Sequence, residues 1–121
     1  MNTAIFFADG FEEIEGLTVV DMFRRAGIPI QTISISDSLT VTGSHDIKVQ
    51  ADCLLKDFDF NTVEMLILPG GMPGTTNLSK CEPLCDALMQ FSRQGRYLAA
   101  ICAAPSILGG LGILNGRIAT C

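Results

Sequence analysis

Short apolar runs recur along this 121-residue chain, separated by helix-like patterns, and that alternation constrains the fold more than any other feature. The runs are Thr3–Ala8, Ile30–Ser36, Met65–Pro69, Tyr97–Ile101 and Arg117–Cys121. Near-continuous apolar strands between helices predict a mostly parallel sheet covered on both faces, a three-layer α/β sandwich. One antiparallel insertion is expected, because Thr40–Val49 reads as a short hairpin turning at Gly43-Ser44. A chain of this length buries one core and has no room for two domains. Doubly wound domains commonly take ~150 residues to close both layers. The last run has nothing after it to cover the sheet, so residues 1–121 are expected to form a single domain incomplete at its C-terminus.

Charge and cysteine content narrow the function. The formal net charge is −5 and there is no basic run, which argues against nucleic acid and anionic membranes as partners. The segment Met1–Asp9 lacks a basic leader and its apolar stretch is too short to span a bilayer, so cytoplasmic residence is expected. Five cysteines, an odd number, fit reduced thiols better than a disulfide framework. Cys81 and Cys85 lie four apart on a predicted helix, but zinc would need two further ligands and His45 is the only histidine. No nucleotide-binding glycine motif is present either, and neither a metal nor a cofactor is expected.

The chemistry points to Cys102. It stands where the apolar run ending at Ile101 gives way to a helical run beginning near Ala103. A sharp strand-to-helix turn that presents a nucleophile tolerates only small residues two places before and after it. Ala100 and Ala104 fill those places, so Ala100-Ile101-Cys102-Ala103-Ala104 keeps the steric logic of a nucleophile elbow. Pro105 suits a first helical turn, where its missing N–H costs nothing. A helix terminus favours a thiolate by roughly 0.3 to 2 kcal/mol, enough to lower the thiol by about one pKa unit.

In a doubly wound sheet the loops after each strand converge. The helix predicted from Phe11 to Ala26 carries Phe11, Glu15, Val19, Met22, Phe23 and Ala26 on one apolar face, with Glu15 near its middle. Glu12 and Glu13 are ordinary first-turn acids. Glu15 is either an acid paired in the core or tilted out, or a general acid/base that shares one proton with Cys102. Gly70-Gly71 is either a connecting turn or, with the N–H of Ala103, an oxyanion hole. His45 reads as a solvated turn residue, with His45 and Arg25 as candidates for the site periphery, and Tyr97 as packing. Ser79-Lys80-Cys81-Glu82 resembles a capping box that Pro83 disturbs.

Four segments together carry a family likeness: Ala8-Asp9-Gly10-Phe11-Glu12-Glu13-Ile14-Glu15, Asp21-Met22-Phe23-Arg24-Arg25-Ala26-Gly27, Leu68-Pro69-Gly70-Gly71 and Ala100-Ile101-Cys102-Ala103-Ala104-Pro105. In that order they resemble the DJ-1/ThiJ/PfpI superfamily, most closely its DJ-1 and ThiJ branch. The resemblance implies a flavodoxin-like sandwich, usually a homodimer, with Cys102 as the elbow cysteine and Glu15 as the family's acid. It places oxyanion donors at Gly70, Gly71 and Ala103. It also implies cofactor-independent glyoxalase or deglycase chemistry on small carbonyl substrates, or a redox-sensing or chaperone-like stress role. Ala103 stands where the peptidase-like branch has a histidine, which weighs against a peptidase. A glutamine amidotransferase would need a downstream His and acid pair absent up to Cys121. Ile14 and Leu17 lie off the expected core face of the first helix, which makes that helix the expected homodimer surface.

Overall fold

The structure, a computed structural model, describes residues 1–121. The elements in chain order are β1 (Thr3–Phe7), α1 (Glu13–Arg25), β2 (Ile30–Ser34), β3 (Thr40–Thr42), β4 (Lys48–Gln50), β5 (Cys53–Leu54), β6 (Met65–Leu68), α2 (Gly74–Ser79), α3 (Glu82–Arg93), β7 (Tyr97–Ala100) and α4 (Pro105–Gly110). Single 3₁₀ turns at Leu55–Asp57 and Phe60–Thr62 join β5 to β6. Five strands form one parallel sheet in the order β5-β2-β1-β6-β7, and β3 and β4 pair antiparallel as a separate hairpin.

Side chains alternate across a strand, and here the alternation sorts the core into two faces. Ala4, Phe6 and Ala8 with Leu66 and Leu68 pack against Leu78 of α2, Leu84, Leu88 and Phe91 of α3, and Ile107 and Leu108 of α4. Ile5, Phe7 and Ile67 point the other way, onto Val20 of α1 and Val41 of the hairpin. The sheet lies between the two sets, which gives the three-layer α/β sandwich. Phe6, Phe7, Phe11 and Phe91 are all but completely buried, each worth roughly 1.5–3 kcal/mol of burial.

Several expectations need correction. Arg117–Cys121 is not a strand: no neighbour pairs with it and Ile118 is fully exposed. An apolar pattern does not make a strand without a partner for its backbone N–H and C=O groups. The two-residue β5 is too short to show any period. Tyr97 opens β7, yet its ring is exposed. Ser79 ends α2, its hydroxyl donating to the Thr76 carbonyl, and Cys81 precedes α3 with no side-chain cap.

The buried face of α1 is also rotated from the expected one. Its buried residues are Glu13, Gly16 and Val20, with Gly16 against the rings of Phe7 and Phe11. At about 100° per residue, Glu15 stands at the flank of that face, half-buried. Met22 is exposed.

Candidate active site

β7 ends at Ala100 and α4 begins at Pro105, so Cys102 occupies the turn between them. Its φ is +59°, in the left-handed region that costs an L-residue energy and is concentrated at functional turns. Below it, Ala104 is completely buried and its N–H donates to the Ile101 carbonyl at 3.0 Å. A larger residue at 104 would have to displace the core. The Cys102 side is exposed. The Ile101 N–H donates to the Leu68 carbonyl at 3.2 Å, extending the β6–β7 register to the elbow's edge and bringing the turn after β6 alongside.

Gly70 sits in that turn and joins the parts of the site. Its N–H donates to Glu15 Oε1 at 3.0 Å. A Cβ built on Gly70 would lie 2.6 Å from Glu15 Oε1, 2.9 Å from the Cys102 Cβ and 3.0 Å from the Ile101 carbonyl oxygen. Glu15 and Cys102 therefore converge on the space that glycine leaves open. The Gly70 carbonyl accepts the Glu12 N–H at 2.9 Å, which ties the start of α1 to the same turn. With its N–H committed, Gly70 orients Glu15 and is not a free oxyanion donor. The N–H groups of Gly71 and Ala103 take no backbone acceptor.

The electrostatics differ from the helix-terminus expectation. The Cys102 thiol is pushed above its ordinary value, first by its hydrogen bond with the Glu15 side chain and by that carboxylate's charge, then by desolvation; the Ala103 N–H pulls it the other way. The reason is geometric. α4 is six residues long and begins three residues after Cys102, so its end brings a single N–H against a neighbouring carboxylate. The Glu15 side chain beside the sulfur thus disfavours a second negative charge at Cys102. The thiols of Cys53, Cys81 and Cys85 are also pushed up, in each case chiefly by burial.

Beside this pair lies a cluster centred on Glu13, which sequence reasoning passed over as a first-turn acid. Glu13 is 3% exposed. Its Oε2 accepts the N–H of His45 at 2.8 Å and of Ile47 at 3.2 Å, and its Oε1 accepts the Ser44 hydroxyl at 3.4 Å and lies 3.0 Å from His45 Nδ1. Burial opposes the charge, but bonds from its own backbone, from the His45 ring and from the N–H groups of His45 and Ile47 outweigh it and hold the carboxyl at about 2. A Cβ at Gly43 would overlap the Glu13 carboxylate, so the hairpin needs glycine there. These partners lie 31 to 34 positions from Glu13, and no local pattern links them.

His45 is an exposed residue of the turn, as expected, but its ring is held: Nδ1 lies 3.0 Å from Glu13 Oε1 and 3.6 Å from Glu12 Oε1. Its imidazole is raised by Glu13, through the hydrogen bond first, and by the charge of Glu12. Arg25 does not border the site. It lies in the last turn of α1, paired with Asp21 at 3.0 Å, ten residues or about 15 Å along the helix from Glu15. Glu12, Glu13 and His45 hold donor atoms within 4.8 Å of one another, the only such trio. Both Glu13 oxygens are already filled by N–H and O–H donors, so the trio is a hydrogen-bond knot poorly suited to a metal.

The DJ-1/PfpI family model matches residues 1–121. The chain is 37% identical over 115 residues to protein DJ-1 homolog B of Arabidopsis thaliana, covering 94% of this chain and 26% of that protein. It is 32% identical over 110 residues to the glutathione-independent glyoxalase DJR-1.2 of Caenorhabditis elegans, covering 91% of this chain and 58% of that one. Among solved structures, oxidized Toxoplasma gondii DJ-1 superposes with a TM-score of 0.91 at 34% identity, over 95% of this chain and 63% of the other. The chain therefore spans between about a quarter and two thirds of the length of these relatives.

Proposed function

The chain belongs to the DJ-1/PfpI family, and on that premise we propose that it acts on small reactive carbonyl compounds, with Cys102 as nucleophile and Glu15 as general acid and base. The observation that carries this reading is the convergence of Glu15 Oε1 and Cys102 on the gap beside Gly70. A carboxyl next to a thiol can take its proton, leaving the sulfur as thiolate and the acid ready to return the proton later. The thiolate adds to the aldehyde carbon of a 1,2-dicarbonyl, and the N–H groups of Gly71 and Ala103 receive the oxyanion. Glu15 then moves a proton from that carbon to its neighbour, which turns the hemithioacetal into a thioester with no external oxidant. Water cleaves the thioester, releasing a 2-hydroxy acid and restoring the thiol. Each step is carried by residues of this chain, and none calls for a cofactor. The worm relative's glyoxalase name supports this choice of substrate class.

Turnover of glyoxal, read as appearance of the hydroxy acid, tests the reading. Cys102→Ser and Glu15→Gln should each abolish it, and unchanged turnover in Glu15→Gln would remove that residue from the mechanism. Alkylation adds an independent check, because the exposed Cys102 should be modified faster than the partly buried Cys53, Cys81 and Cys85.

A second reading rests on the exposure of Cys102 and on the oxidized state of the Toxoplasma relative. In it the same sulfur is a redox sensor oxidised to the sulfinic acid, without turnover. Mild peroxide followed by mass measurement separates the two: addition of two oxygens at Cys102 in a protein that does not consume glyoxal favours the sensor. Either activity suits the cytoplasm, where free thiols persist. No helix is long and apolar enough to cross a membrane.

A further inference from the structure

We propose that Glu13 is a positioning residue for Glu15: by drawing the β3–β4 turn onto the first turn of α1, it fixes where the Glu15 carboxylate lies against Gly70 and Cys102. The proposal rests on the reading of that pair given above.

Three segments are sewn together at this end of the sheet. The Gly10 N–H donates to the Thr42 carbonyl at 2.8 Å, the Ser44 N–H to the Phe11 carbonyl at 2.8 Å and the Thr42 N–H to Asp9 Oδ1 at 3.0 Å, which joins the hairpin to the β1–α1 loop. The Gly74 N–H donates to the Gly10 carbonyl at 3.1 Å and the Glu12 N–H to the Gly70 carbonyl at 2.9 Å, which joins that loop to the turn after β6. Glu13 is the side chain at the centre of the hairpin half, and it takes up donors from Ser44, His45 and Ile47 at once.

Glu13 and Glu15 are two positions apart, within a single helical turn. Rotating or lifting that turn moves the Glu15 carboxylate relative to its two partners, the Gly70 N–H at 3.0 Å and the Cys102 sulfur. The fixed point of α1 is therefore its buried carboxylate. The acid that works at the sulfur is half-buried and takes its position from that anchor. The space opposite Gly43 serves this seat: glycine there lets the carboxylate enter the turn.

The test compares wild type, Glu13→Gln, Gly43→Ala and Glu15→Gln by two readouts, glyoxal turnover and the pH dependence of Cys102 alkylation. Glutamine keeps the size of the side chain but turns an NH₂ toward groups that are themselves donors, so the seat is lost with little change in volume. Gly43→Ala evicts the carboxylate from the other side. Leu88→Ala, in the core of the opposite sheet face, supplies a control of comparable instability far from the site.

Glu13→Gln should lower kcat about tenfold or more with KM little changed, because a misplacement of about 1 Å can cost up to about 100-fold. Its alkylation curve should move from the wild-type shape toward that of Glu15→Gln. Gly43→Ala should follow Glu13→Gln, and Leu88→Ala should keep the wild-type curve and kcat. Wild-type kcat and a wild-type curve in both Glu13→Gln and Gly43→Ala would overturn the proposal. If wild type and Glu15→Gln already alkylate alike, the reading of the Cys102–Glu15 pair fails instead, so the two failures are distinguishable.

Discussion

At Gly70 a hydrogen atom in place of a methyl leaves the room in which Glu15 and Cys102 approach each other. An added Cβ would meet Glu15 Oε1 at 2.6 Å and Cys102 Cβ at 2.9 Å, and the Ile101 carbonyl at 3.0 Å is backbone with little freedom to yield. Gly70→Ala should therefore part the acid from the sulfur, reducing glyoxal turnover about 100-fold while costing about 1–3 kcal/mol of stability from overpacking. Steady-state kinetics and a urea titration on the same variant check both; full activity would mean that the two groups do not work through this gap. The pH dependence of Cys102 alkylation should move to lower pH in Glu15→Gln, since the Glu15 hydrogen bond and charge hold the thiol up in wild type. Cys102 was legible in the sequence because an elbow's requirement is local: small residues at 100 and 104, one of them completely buried. Glu15 was legible for a partly mistaken reason, since it flanks the buried face instead of centring it. Glu13 left no signal, because its meaning resides in a turn more than thirty positions away.

At the scale of elements, α1 and the hairpin act as one body. The most apolar face of the helix is not its most buried one, because the helix approaches the sheet through Gly16 and over the Phe7 and Phe11 rings. The hairpin was expected near its observed place, but its turn runs from Gly43 to Ile47 so as to wrap a carboxylate. The acid limb of the stability curve reports on this clamp. Glu13 ionises at about 2 when folded, against 4.5 as the ordinary value. The folded value is depressed, so the stabilisation is fully present above pH 4.5 and is lost as the pH falls toward 2. Its size is about 3 kcal/mol, at about 1.4 kcal/mol per unit. Urea midpoints followed from pH 5 to about 2 should fall more steeply in wild type than in Glu13→Gln, and parallel curves would refute the clamp's contribution. His45 acts in the opposite sense. Its folded value is raised, so what it adds is present below pH 6.5 and fades as the pH rises through that folded value; with the ring exposed, the effect is small.

Over the whole molecule the two faces of the sheet are unequally covered. α2, α3 and α4 close one face over a large cluster, while α1 and the hairpin lie over β1 and β2 and leave β7 open on the other. The alternation of strands and helices made the layers legible from sequence, since the period of a strand reports which face each residue serves. The last segment forms no strand despite its apolar pattern, because pairing is a property of neighbours and an apolar run encodes none. On the thinly covered side, Val19 and Phe23 of α1 with Ile67, Ala99 and Ile101 line an apolar groove. Along the outward side of α1, Ile14 is 75% and Leu17 is 37% exposed, next to an exposed Met22. Exposed apolar groups on the first turns of one helix, flanked by the Asp21–Arg25 pair, favour a second copy of the same helix, because a two-fold axis lets each copy bury the other's apolar patch. The chain should therefore be a homodimer through α1 at micromolar concentration by light scattering. Ile14→Gln with Leu17→Gln should shift it to monomer while the fold persists, since neither side chain belongs to either core cluster. A monomeric wild type, or a double variant that stays dimeric, would place the interface elsewhere or remove it.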